Sequence, residues 1–130
     1  MTPIHATFFS SAAKFRGWLE QYQVEASELQ VGFYRKASGR GGLTYAEAVD
    51  DARCFGWIDG VIRKLDDVSC THRFTPRKST SIWSLTNVRH VARLTAAGRM
   101  RPAGLKAFAA RTAQRTGVYA FEQEGGVIAR

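Results

Sequence analysis

The chain has 130 residues and a net charge of +8, a size typical of one domain that buries roughly two thirds of its unfolded surface. Its hydrophobic fraction of 45% excludes a disordered chain, and no stretch approaches the ~18 apolar residues that a membrane helix needs. The N-terminus has no secretory signal, and Cys54 and Cys70 lack the spacing of a zinc site or a disulfide framework, so we expect a cytoplasmic protein without membrane insertion, metal or cofactor.

The first elements are a helix and a strand. Ser10 or Ser11 can cap a helix, because apolar residues follow at helical spacing. The run 29–36 is rich in β-favouring residues and predicts a strand, and the segment 37–42 (ASGRGG) predicts a flexible basic loop. The helix should bury one stripe of side chains: Phe15, Trp18, Leu19 and Tyr22.

A second helix begins with a capping box. Thr44 and Glu47 have the spacing at which the two side chains satisfy backbone N–H groups at a helix start. Gly56 should end this helix, because glycine readily adopts the left-handed conformation found there. The residues expected to face inward are Tyr45, Ala48, Val49, Ala52 and Phe55.

The segment 57–75 predicts a β-hairpin. Two β-rich runs, 57–65 and 68–75, are separated by Asp66-Asp67, a weaker turn sequence than Asp-Gly. Strict alternation along the first run would place four side chains on one face and Ile58 with Ile62 on the other. Those four are Trp57, Asp59, Val61 and Arg63.

Two further helices complete the predicted fold. The cluster 79–81 offers caps for a helix over about 82–97, and Pro102 suits the first turn of a last helix that Gly117 closes. We therefore predict an α+β fold, in which a small antiparallel or mixed sheet (strand 29–36 plus hairpin 57–75) is packed by about four helices. Residues 1–117 should form one domain, and 118–130 a C-terminal arm.

Several uncommon sequence words occur in a fixed order: FGWIDG, RFTPRK, SIWS..N and GRM..AGL. With these words the chain resembles the YdeI/OmpD-associated family, also labelled bacteriocin-protection proteins, from about Phe15 to Tyr119. Family members commonly have Pro where this chain has Ser79, and they usually continue into a further helical, Lys/Ala-rich module. The resemblance implies a link to protection against bacteriocins or other envelope-directed antimicrobials, but no ligand and no reaction.

Trp57, Asp59 and Arg63 form the first candidate site. In one interpretation Asp59 and Arg63 make an exposed ion pair, which would contribute roughly 0–1 kcal/mol. In the other, Trp57 forms the apolar wall of a pocket and Asp59 accepts hydrogen bonds from a ligand. A carboxylate beside an indole is partly desolvated, which is common at functional sites.

Arg73, Arg77 and Lys78 form a basic strand end that leads into a helix. Their charges, together with the N-terminal N–H groups of the helix, could hold a phosphate or a carboxylate. The same residues would otherwise be a solvated loop. Trp83 and Asn87 are four residues apart, so they should share a helix face. Trp83 could lie in the core or serve as a ligand platform. Asn87 could hold the preceding loop in place through hydrogen bonds or could bind the ligand.

The candidates for catalysis do not define a reaction. Cys54 lies near a helix C-terminus, which does not stabilise a thiolate. Cys70 and His72 lie two residues apart on one strand, about 6.6–6.8 Å, which is too far for a nucleophile–base hydrogen bond. Asp59 is the remaining candidate. Nothing in the sequence assigns a reaction to these residues, so we assign no catalytic residue.

The preferred hypothesis is a non-enzymatic binding protein that recognises a small anionic or aromatic ligand, or a partner segment, between the 57–75 hairpin and the helix from Ile82. The oligomeric state is left open. One alternative is an enzyme of unassigned reaction. The other is a nucleic-acid-associated stress protein, although its positive charges are spread along the chain rather than forming one block. Its binding residues would be Arg35, Lys36, Arg40, Arg89, Arg93, Arg99 and Arg101.

Overall fold

The computed structural model describes residues 5–78, 80–111 and 115–117, where it contains four strands and four helices. The predicted α+β class is confirmed, and the sheet is mixed. The predicted C-terminal arm at 118–130 lies outside the described residues. In chain order the elements are β1 (Thr7–Phe8), α1 (Ala12–Tyr22), β2 (Leu29–Tyr34), a 3-10 turn (Lys36–Ser38), α2 (Tyr45–Cys54), β3 (Trp57–Lys64), β4 (Ser69–Pro76), α3 (Leu85–Ala96) and α4 (Pro102–Ala109).

The sheet has the strand order β1-β2-β4-β3. The hairpin strands β3 and β4 are antiparallel, as is the pair β2 and β4, whereas β1 runs parallel to β2. The two-residue β1 was not predicted, because a strand this short has too few residues to show alternation. Among the described helices, none has the length and apolar character needed to cross a bilayer.

A β-bulge in β3 changes which side chains share a face. Asp59 pairs with Phe74, whereas Ile62 pairs with His72, so β3 has one more residue than β4 between these pairs. The prediction that Asp59 and Arg63 share a face is therefore wrong, since Arg63 pairs with Thr71 on the opposite face. Ile62 is 61% exposed, on a strand at the edge of the sheet.

The core lies between one face of the sheet and the helices. Phe15 of α1 packs edge-on against Phe74 of β4, with ring centroids 5.7 Å apart. Helix α2 contacts α1, β3, α3 and α4, so it is the central helix. Tyr22 and Tyr45, both predicted to face inward, are 41% and 44% exposed. The buried face of α2 instead includes Asp51 and Cys54 besides its alanines.

Asp51 is a buried carboxylate that joins three segments. Its side chain is 1% exposed, and its Oδ1 accepts hydrogen bonds from Arg16 (3.1 Å) and Arg99 (2.5 Å). Arg16 also donates to the backbone carbonyl of Arg99 at 2.6 Å. These bonds connect α1, α2 and the turn after α3, and the two guanidinium groups offset the cost of burying the charge.

Helix α4 packs directly on the C-terminal end of α2. The Arg101 N–H donates to the Cys54 carbonyl at 2.9 Å, and a Cβ at Gly104 would collide with that carbonyl. Gly56 has φ +78°, and a Cβ there would lie 2.9 Å from the Ala103 carbonyl oxygen. The FGW and AGL words therefore meet in space, where glycines permit a close helix contact.

Helix α4 ends earlier than predicted, and α3 starts later. Ser84 caps α3, because its side chain accepts from the Asn87 N–H. Before this cap, the backbone of Trp83 pairs with the chain after α4: its N–H donates to Arg115 and its carbonyl accepts from Gly117. The chain must leave α4 at Ala109 to reach this bridge.

We expect Gly104→Ala to lower the free energy of unfolding by about 1–3 kcal/mol, because the added methyl group has no room beside α2. Urea denaturation measures this change. Gly17→Ala in α1 is the matched control: nothing lies within 4 Å of its Cβ position, so it should stabilise the protein by up to about 1 kcal/mol. Equal effects of the two substitutions would contradict close packing at Gly104.

Candidate functional site

Two neighbouring cavities lie near the end of the hairpin, and both are lined by Trp57 and Arg77. The larger, which we call the α4 cavity, has a volume of about 290 Å³. It is lined by Gln23, Phe55, Gly56, Trp57, Pro76, Arg77, Lys78, Ala103, Lys106, Ala107 and Ala110. The smaller, the polar cavity, has about 80 Å³ and is lined by Val49, Ala52, Arg53, Trp57, Ile58, Asp59, Arg77 and Asn87.

The α4 cavity combines positive charge with apolar surface. Arg77, Lys78 and Lys106 contribute cations, and no carboxylate is among its lining residues. Ala103 and Ala107 lie one helical turn apart on α4, and their small side chains leave room for the cavity. An anion with an apolar part would match both features of this surface.

Arg77 is held in place by Trp83. Its guanidinium carbon lies 3.8 Å from the centroid of the Trp83 ring, and its Nη2 donates to the Ile82 carbonyl at 2.9 Å. Trp83 is only 5% exposed, packs edge-on against Phe108 and lines neither cavity. Trp83 therefore positions Arg77 rather than serving as a ligand platform.

The polar cavity holds Asp59 close to hydrogen-bonding groups from three elements. Arg53 of α2 donates to Asn87 Oδ1 of α3 at 3.2 Å through Nε and at 2.9 Å through Nη2. It also donates to Asp50 Oδ1 at 3.1 Å. Burial lowers the pKa of Arg53, while Asp50 and Asp59 act in the opposite direction. The Arg53 guanidinium stays charged at neutral pH, because an arginine pKa starts far above it.

Asp59 accepts a short hydrogen bond from Tyr45, with the Tyr45 hydroxyl 2.5 Å from Asp59 Oδ2. Burial, and then this bond to Asp59, raise the pKa of Tyr45 to about 12. His72 packs against Tyr45 with ring centroids 4.5 Å apart and is 7% exposed. Burial lowers the pKa of His72, against a smaller opposing effect of Asp59. At neutral pH the phenol is thus protonated and the imidazole uncharged.

Of the eight predicted site residues, the structure brings five together at the two cavities. Trp57, Arg77 and Lys78 line the α4 cavity, and Asp59 and Asn87 line the polar cavity. The other three line neither cavity: Trp83 stacks on Arg77, whereas Arg63 and Arg73 lie on the opposite face of the sheet, where Arg73 forms an ion pair with Glu28 and Arg63 is exposed.

Sequence reasoning missed Arg53, Lys106 and Tyr45. Arg53 could have been suspected, because it lies two positions before the FGWIDG word. Lys106 gave no local indication, since it reaches the site only through the packing of α4 on α2. Tyr45 follows the capping box, and its helical position suggested the core rather than a hydrogen bond to Asp59.

The two cysteines differ in burial: Cys54 is buried and Cys70 is partly buried. Cys54 is fully buried, so a substrate cannot reach its thiol. Cys70 and His72 lie two residues apart on β4, as expected. In the described part of the chain, no group of three or more His, Cys, Asp or Glu side chains could hold a metal ion.

The arginines near α3 do not form a free row for nucleic acid. Arg93 pairs with Asp50 at 2.8 Å, Arg99 with Asp51 at 2.5 Å and Arg101 with Glu20 at 3.6 Å. Arg89 donates to the hydroxyl of Thr86 at 3.3 Å. Three of these four arginines already have a carboxylate partner, which reduces their attraction for phosphates.

The pKa of His72 predicts a loss of stability in acid. Its folded value lies below the ordinary value of 6.5, so as pH falls through 6.5 the unfolded chain binds a proton first and the free energy of unfolding decreases. His72→Phe removes this contribution and should lose less stability between about pH 7.5 and about pH 5.5 than the parent protein. Urea denaturation at both pH values tests this. The exposed His5→Phe is the control; a parental pH dependence in His72→Phe would contradict the prediction.

The site region falls within one recognised family. The profile of a family described as "Domain of unknown function (DUF8412)" matches residues 7–107, which include all lining residues of both cavities except Ala110. No curated protein and no solved structure matches the chain. With most of its length matched, the chain belongs to the DUF8412 family.

Proposed function

We propose that this is a cytoplasmic, non-enzymatic binding protein that recognises a small anionic ligand with an apolar or aromatic part in the α4 cavity. One observation carries the proposal: Arg77, Lys78 and Lys106 line a partly apolar cavity that has no carboxylate in its lining. The remaining lining residues are apolar or uncharged, so a bound anion would meet these cations with no competing carboxylate in the same lining.

Preorganisation favours Arg77 as the main anion-binding group. Its stacking on Trp83 and its bond to the Ile82 carbonyl restrict its side chain before any ligand arrives. Binding then costs less side-chain entropy than it would with a free arginine. Lys78 and Lys106 are exposed and would add charge at the rim of the cavity.

The apolar part of the ligand would contact Trp57, Pro76 and the alanines of α4. Trp57 is 2% exposed, so only a small part of its ring is available, and the alanines supply most of the remaining apolar surface. A volume of about 290 Å³ lies at the lower end of small-molecule sites. This size favours a small metabolite, or one acidic side chain of a partner segment.

The polar cavity would supply selectivity. Asp59 lies on the other side of Trp57, next to Arg53 and Asn87. A hydroxyl or amide of the ligand that reached it would find a carboxylate acceptor already ordered by the Tyr45 hydroxyl. A ligand without a hydroxyl or amide at this position would displace water from the Asp59 carboxylate without replacing its hydrogen bond. Such a ligand should therefore bind more weakly.

The resemblance to YdeI/OmpD-associated proteins supports a biological role in resistance to bacteriocins or envelope stress. The words that carry it, FGWIDG and RFTPRK, supply Trp57, Asp59, Arg77 and Lys78 to the two cavities. Ligand recognition in these cavities would then be the molecular event behind the protective effect.

Lys106→Gln should weaken the binding of an anionic ligand by about two- to fivefold, because an exposed charge contributes up to ~1 kcal/mol. A thermal-shift screen of anionic metabolites and acidic peptides would identify the ligand, and calorimetric titration would measure its affinity for each variant. Lys14→Gln, an exposed lysine of α1 outside both cavities, removes the same charge and should leave the affinity unchanged. Equal weakening in both variants would show non-specific attraction and would contradict the proposed site.

A further inference from the structure

A third cavity lies beside the glycine-rich segment that follows β2. This loop cavity has a volume of about 550 Å³ and shares no lining residue with the α4 cavity. Three of its lining residues are cations, and none is a carboxylate. It is lined by Phe33, Tyr34, Arg35, Lys36, Gly39, Arg40, Gly41, Gly42, Leu43, Thr44 and Tyr45.

Arg40 is positioned at this cavity by an aromatic stack. Its guanidinium carbon lies 5.0 Å from the centroid of the Tyr34 ring, and Tyr34 stacks on Phe8 with centroids 4.6 Å apart. Gly32 makes room for Phe8, because a Cβ there would lie 2.5 Å from the Phe8 ring. The missing β-carbon in β2 thus helps to hold a cation at the cavity.

Backbone donors add to the positive side chains. Gly41 and Gly42 line the cavity, and their N–H groups have no acceptor among the described residues. Their neighbours are fixed: the Arg40 N–H donates to Ser38 Oγ and the Leu43 N–H to the Phe9 carbonyl, each at 3.2 Å. Unpaired N–H groups of glycine-rich segments next to cations are typical donors to phosphate oxygens.

The acidic hairpin turn does not occupy these donors. The Asp66 carboxylate accepts from the Val68 N–H and the Ser69 hydroxyl, both at 2.9 Å. The Asp67 carboxylate pairs with Lys64 at 3.6 Å, and Arg35 contacts only the Asp67 backbone carbonyl. The hydrogen bond from the Val68 N–H lowers the pKa of the Asp66 carboxyl, and Arg40 adds a smaller effect in the same direction. Among the described residues, however, neither Lys36 nor Arg40 forms an ion pair with a carboxylate.

Part of the cavity lining is apolar and aromatic. Phe33 and Leu43 are 6% and 7% exposed, whereas Tyr45 is 44% exposed and offers ring surface. A ring system would contact these side chains while its phosphates reached the loop. We propose that the loop cavity is a second site, which binds a nucleoside phosphate.

Calorimetric titrations with ATP, adenosine and tripolyphosphate test both halves of the proposed ligand. ATP should bind at least tenfold more tightly than adenosine or tripolyphosphate. Arg40→Gln should lower the affinity for ATP by about tenfold, because it removes a charge-assisted hydrogen bond. Arg89→Gln removes the same charge from the exposed surface of α3 and should leave ATP binding unchanged. Melting curves would confirm that both variants remain folded.

Four outcomes would overturn the proposal. The first is that the parent protein does not bind ATP, and the second is that it binds tripolyphosphate as tightly as ATP. The third is that Arg89→Gln weakens ATP binding as much as Arg40→Gln does. The fourth is tighter binding of a single-stranded oligonucleotide than of ATP with a steep salt dependence, which would assign the surface to a nucleic-acid strand. Lys106→Gln should not affect ATP binding, so this site and the α4 cavity are tested separately.

Discussion

The close contact between α4 and the end of α2 is the constraint on which the site at Trp57 depends. Gly104 allows α4 to reach the Cys54 carbonyl, and the left-handed Gly56 turns the chain into β3 beneath Ala103. The Arg77 N–H then donates to the Gly56 carbonyl at 2.8 Å, so the end of β4 is tied to the same turn. The end of α2, the start of β3, the end of β4 and α4 thus lie close together. The α4 cavity is the space that their small residues leave open.

Paired aspartates on α2 organise much of the positive charge. Asp51 accepts from Arg16 and Arg99 inside the protein, and its neighbour Asp50 pairs with Arg53 and Arg93. The net charge of +8 is therefore not one basic face. Cations without a carboxylate in the same lining occur instead at the α4 cavity and at the loop cavity, which is why small anions are the ligands we favour.

Local patterns predicted the two ends of α2 well and the orientation of side chains less well. The capping box at Thr44 and the stop at Gly56 depend on neighbouring residues, and both are present. The bulge after Asp59 depends on how β3 aligns with β4, so alternation failed there and placed Arg63 on the wrong face. The helical spacing of Tyr45 predicted a core position, but its hydroxyl donates a hydrogen bond to Asp59 at the surface.

The sequence by itself determined the α+β class and the hairpin, and it named Trp57, Asp59, Arg77, Lys78 and Asn87 as candidates for one cluster. These follow from capping, periodicity and short spacings, which act over a few residues. Only the tertiary structure decided that Lys106 and Arg53 join this cluster, that Trp83 supports Arg77, and that Arg73 pairs with Glu28 elsewhere. Such contacts join segments distant in the chain, and their geometry comes from helix packing and strand register rather than from any local pattern.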